Sequence, residues 1–130
     1  MEDLNELIQT YFGPLNAHEL SVIQSYFIKE QLAKNEIFTG SGEICNRLSM
    51  VKSGILRVFA LSEDGKEITQ WLSVKGFFVT DVMGFFFNQH NRWTIQAFTE
   101  AELLTISKTD YLKLCREFPK WAEIEKRFMI

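Results

Sequence analysis

The stretch "MVKSGILRVFALSEDGKEITQWLSVKGFF", Met50–Phe78, decides the fold. Its apolar and polar residues follow a period close to two, the pattern of strands rather than helices. The run is broken at Gly54, where a bend or bulge is expected because a glycine inside a strand has no side chain to pack. Asp64-Gly65 sits between two alternating segments and reads as a hairpin turn. "EITQWLS", Glu67–Ser73, then places Ile68, Gln70 and Leu72 on one face and Thr69, Trp71 and Ser73 on the other.

The same pattern continues on both sides. Upstream, "FIKEQLA" alternates, "KNE" is a turn, and "EIFTG" is a short strand ending in the Ser41-Gly42 loop. Downstream come "WTIQAFT" and "ELLTIS", with a turn near Glu100-Ala101. About eight short, closely spaced strands predict a sandwich or jelly-roll barrel. The chain opens and closes as helix. Leu4, Leu7, Ile8 and Tyr11 recur at helical spacing until Gly13-Pro14. Asn16 then caps a second helix, with Glu19 placed to reach back and Leu20, Ile23 and Phe27 continuing its apolar face. "SKTDYLKLCREF" is a helix capped by Ser107 and stopped by Pro119. "PKWAEIEKRFMI" follows as a new helix with Trp121, Ile124 and Phe128 on one stripe.

At 130 residues the chain is read as one domain. A formal charge of −3, with scattered Lys and Arg, speaks against a DNA-reading surface. "MEDLNELIQTYF" opens acidic without an apolar core, so no signal peptide is expected, and no run reaches membrane-spanning length. Cys45 and Cys115, far apart, read as reduced thiols in a cytoplasmic protein. A jelly roll also suits a metal-dependent cupin enzyme, but His18 and His90 are the only histidines and fall in different regions. No Gly-x-Ser-x-Gly elbow, P-loop or dinucleotide fingerprint is present. The sequence predicts no enzyme.

Helices, short strands, then helices ending on an apolar stripe resemble the cyclic-nucleotide-binding domain of Crp/Fnr-type transcriptional regulators. The resemblance rests on Gly54, the Asp64-Gly65-Lys66-Glu67 hairpin, Gly76 followed by Phe77-Phe78, and "AELLTISKTDYLKLCREFP" as last strand and following helix. It implies a mainly β fold with flanking helices, a double-stranded β-helix or jelly-roll barrel over 1–118. A C-terminal pairing helix would begin at 119–130. It further implies a homodimer paired through Trp121, Ile124 and Phe128, and a small-molecule effector. DNA would be reached only through a helix-turn-helix absent from these 130 residues.

The resemblance also places a phosphate-binding cassette on "KGFFVTDVMGFFFNQHNRW", Lys75–Trp93, and ligand contacts on Val79, Thr80, Asp81, Arg92, Trp93 and Thr94. In such a cassette a strand turns into a short helix, an arginine binds the cyclic phosphate, and a Gly-Glu pair holds the sugar. The implied effector is a cyclic nucleotide, cAMP or cGMP, or another small anion. Here Thr80-Asp81 stands where the family has Gly-Glu. Counted without gaps back from Ala97, the phosphate arginine falls on Asn91, with Arg92 beside it and Trp93 crowding the ligand. Asp81 is therefore either a sugar-hydroxyl acceptor or the N-cap of "DVMGFFF", in which case it opposes an anion. Arg92 is an anion ligand, a partner for Asp81, or a solvent-facing residue. Phe85, Phe86 and Phe87 are a core plug or a contact surface. A ligand-free protein-interaction module of the same fold is the competing reading.

Overall fold

The computed structural model describes Asn5, Glu6, Ile8, Gln9 and residues 15–119. Leu4, Leu7, Tyr11, Trp121, Ile124 and Phe128 lie outside the described residues, and so does all of 119–130 except Pro119. Helix α1 (Ala17–Ser25) precedes strands β1 (Ile28–Leu32), β2 (Ile37–Thr39), β3 (Arg47–Ser53), β4 (Leu56–Leu61), β5 (Glu67–Ser73) and β6 (Phe78–Val79). Helix α2 (Val82–Phe87), strands β7 (Thr94–Ala97) and β8 (Ala101–Ser107) and helix α3 (Lys108–Glu117) complete it. The helix starts follow from their caps. Asn16 and Glu19 exchange backbone N–H bonds at 2.8 and 3.1 Å, a full capping box, and the Ser107 hydroxyl accepts from Asp110 N–H at 3.1 Å.

The strands form two antiparallel four-stranded sheets, β1-β8-β3-β6 and β2-β7-β4-β5. The jelly roll is thus a sandwich, without hydrogen bonds closing it into a barrel. Its first sheet is covered on both sides. Leu48, Met50, Leu104 and Ile106 pack with Ile8, Ile23, Tyr111 and Leu114 of the helical segments. Val51, Leu103 and Leu32 pack instead with Leu56, Val58, Ile95 and Ala97 of the second sheet. That is why "RLSMVKS" and "AELLTIS" carry near-continuous buried runs rather than strict alternation.

Strand β5 departs from the alternation expected of it. It lies at the edge of the second sheet and only Ser73 is buried. Trp71 pairs with Val58 but Thr69 pairs with Phe59, leaving Gln70 as an extra residue. Cross-strand partners share a face, so the bulge turns Thr69 and Trp71 to opposite sides. Trp71 remains on the core side with Val58.

Gly54 makes the β3–β4 turn with φ +87°, and a Cβ there would stand 2.3 Å from the Glu100 carbonyl oxygen and 2.7 Å from Ala101 Cα. Neither backbone atom can swing away. Gly54→Ala is expected to lower stability by about 2–4 kcal/mol from left-handed strain plus overlap. Urea unfolding should show an earlier midpoint at unchanged slope.

Candidate functional site

The cassette lies between β6 and β7. Val79 pairs with Ser49 and is buried between the sheets. Thr80 turns inward as well: its hydroxyl donates to the Arg47 carbonyl at 2.8 Å and lies 3.4 Å from Cys45 Sγ. Asp81 follows with extended backbone and caps α2. Its carboxylate is fully buried, with one oxygen accepting from Gly84 N–H and the other from Trp93 N–H, both at 3.2 Å. Of the two roles open to Asp81, the structure displays the cap. Helix α2 ends at Asn88, which takes a left-handed conformation, φ 53°.

Asn91 is also buried. Its Oδ1 accepts from Cys45 N–H at 3.0 Å, and its Nδ2 donates to Thr39 Oγ1 at 2.8 Å and to the Gly40 carbonyl at 2.9 Å. The backbone adds to this. Asn91 N–H donates to Glu43 O, Gly42 N–H donates to Asn91 O, and His90 Nδ1 donates to Gly42 O at 2.6 Å. One further strand of the tether is Ser41 N–H donating to Thr94 Oγ1 at 3.1 Å. The β2–β3 loop is thereby laced to the loop leading into β7. Gly84 makes the close approach possible, since a Cβ there would fall 2.2 Å from Asn91 Oδ1 and 2.5 Å from Cys45 N.

Arg92 is exposed, with its guanidinium 5.6 Å from the Trp93 ring centroid, and it forms no ion pair with Asp81. Trp93 meets Trp71 edge-to-face at 4.9 Å. Trp71 is on the core side of β5 yet 43% exposed, so this pair marks the rim of the space between the sheets. The three phenylalanines divide. Phe85 is buried, Phe86 is partly buried against the helical core, and Phe87 is 54% exposed. Phe85 and Phe86 stand 5.1 and 5.9 Å from the Tyr111 ring of α3.

The structure therefore brings Thr80, Asp81, Trp93 and Thr94 into one neighbourhood, buries Val79 beneath it and leaves Arg92 outside. Thr39, Gly40, Cys45 and Trp71 belong to the same site and were not singled out in sequence. No local pattern marks them, since Cys45 is 46 residues from Asn91 and meets it through a backbone N–H that any residue but proline would carry.

Comparison with known proteins agrees with this architecture. The "Cyclic nucleotide-binding domain" family model matches residues 29–118, and the chain belongs to that family. Its structural neighbours are transcriptional regulators and cyclic-nucleotide-binding proteins, a non-enzymatic group that bears out the Crp/Fnr-type resemblance. Catabolite Activator Protein of Thermus thermophilus superposes with a TM-score of 0.77 at 25% identity, over 92% of this chain and 57% of its own. The chain thus spans little more than half of that regulator. The sensor domain of the transcriptional regulator DNR from Pseudomonas aeruginosa gives 0.73 at 19% identity, over 97% and 89%. The c-di-GMP responsive global regulator CLP of Xanthomonas campestris gives 0.71 at 20%, over 87% and 56%. The last two likenesses are of fold. No curated protein matches the chain. Among the described residues no cluster of metal-ligating side chains is present, and no helix is long and apolar enough to cross a membrane.

Asn91→Ala would leave the Cys45 N–H, the Thr39 hydroxyl and the Gly40 carbonyl without the amide. A loss of about 2–4 kcal/mol is expected from these buried groups. Chemical denaturation would register it, and a change under about 0.5 kcal/mol would mean that water replaces the amide at no cost.

Proposed function

We propose that this chain is the sensor domain of a Crp/Fnr-type transcription regulator, converting occupancy of the cassette into a change at a C-terminal pairing helix. One observation carries the reading: Phe85 and Phe86 of α2 pack on Tyr111 of α3. A shift of α2 cannot occur without repacking α3, because close-packed aromatic rings transmit displacement rather than absorb it. The chain after α3 holds Trp121, Ile124 and Phe128, the residues assigned to the partner subunit in a homodimer. DNA is reached through a further domain, and the working compartment is the cytoplasm. A small molecule that prefers one arrangement of α2 and α3 shifts the population toward it.

The family's ligand, a cyclic nucleotide, is the first effector to test, and the c-di-GMP responsiveness of the Xanthomonas campestris regulator widens the panel. An effector at one hundred times its Kd stabilises by about 2.7 kcal/mol, a rise on the order of ten degrees in this size of domain. Thermal unfolding against cyclic mononucleotides, c-di-GMP and neutral metabolites is expected to single out one, and Tyr111→Ala should break its effect on dimerisation measured by ultracentrifugation. Absence of any responding molecule would reject the effector-sensing reading. The ligand-free interaction module would then gain, since Leu61, Ile68, Leu72, Val74 and Phe77 around the β5 edge are all at least 40% exposed. Self-association without any small molecule would be its signature.

A further inference from the structure

Resting on the sensor reading, we infer that Asp81 and Asn91 act as built-in occupants of the cassette, holding it closed without ligand and restricting the effector to molecules without an anionic group. A phosphate in such a cassette needs unclaimed N–H donors and a cation. Here the N–H groups of Gly84 and Trp93 are both accepted by the buried Asp81 carboxylate. The Phe85 N–H makes the first helical bond, to the Asp81 carbonyl at 2.9 Å, so the turn leaves a ligand only the N–H groups of Val82 and Met83, directly beside the Asp81 carboxylate. Where the family would supply a cation stands Asn91, neutral, with its carboxamide already bonded to Cys45, Thr39 and Gly40. Arg92 is turned outward over Trp93.

Charge and shape act together. A phosphate entering would meet a buried negative group with no cation between them, and repulsion in such a poorly screened site is strong. It would also have to part Trp93 from Trp71. An uncharged molecule meets only the steric obstacle, and the two indoles offer it apolar surface. Asp81 and Asn91 are thus specificity-determining residues that exclude the phosphate-bearing ligands.

The test joins ligand binding to amide exchange in the whole chain. Calorimetric titration of the wild-type protein with cAMP, cGMP and inorganic phosphate is expected to give no binding. Hydrogen exchange followed by NMR is expected to show the Gly84, Trp93 and Cys45 amides protected at least a hundredfold without ligand. In Asp81→Ala, which removes both acceptor oxygens, the Gly84 and Trp93 amides should exchange at least tenfold faster while Leu104 in β8 is unchanged. Binding of any of the three anions by the wild type overturns the inference and leaves the sensor reading standing. Unprotected amides in the wild type overturn it too, whether or not the variant folds, as does exchange at Gly84 and Trp93 unaltered in a folded variant. Protected amides in a protein that answers no small molecule would reject the sensor reading alone.

Discussion

The pairing of β3 with β8, in the middle of a sheet buried on both faces, is the constraint from which the other features follow. Met50 and Leu104 point toward the helices while Val51 and Leu103 point toward the second sheet. Each face has its own core, so neither strand can slip by one residue without exchanging the two. Ser49 and Thr105 add a hydroxyl pair at 2.7 Å within this buried ladder, and Glu30 on β1 accepts from Thr105 at 2.8 Å. Glu30 pairs in turn with Arg47 at 3.1 Å, so Ser49, Thr105, Glu30 and Arg47 form one connected polar chain.

That ladder positions the cassette. Strand β6 is only two residues long and hangs on β3 through Ser49 and Met50. The turn into α2 therefore starts from a fixed point, and Thr80 anchors it again on the Arg47 carbonyl. From there the local chemistry is self-satisfying. Asp81 accepts from the Gly84 N–H in the first turn of α2 and from the Trp93 backbone N–H, and Asn91 accepts from the Cys45 N–H of the β2–β3 loop. Buried N–H groups demand partners, and in this chain the partners are its own side chains. Phe85 and Phe86 of the cassette also lean on Tyr111 of α3, which ties α2 to that helix.

Much of this was legible in the residues. The Asn16–Glu19 box, the Ser107 cap, the Gly54 break and the Asp64-Gly65 hairpin are signals read within a few positions, because caps and turns are short-range chemistry. Counting back from Ala97 located Asn91, and the choice of aspartate before "VMGFFF" already allowed a cap. By contrast, the face of β5 could not be read. Its strict alternation implied a regular strand, but the bulge at Gln70 depends on how Trp71 and Thr69 meet β4.

Over the described residues, periodicity and capping were enough to specify the elements, their order and the family they spell, since both are properties of neighbouring residues. The tertiary structure alone decided which groups Asp81 and Asn91 satisfy, that Arg92 faces outward, and that Trp71 comes to rest on Trp93. Those choices join residues up to 52 positions apart, where pairing is set by sheet register and by the room that Gly84 leaves rather than by any local preference.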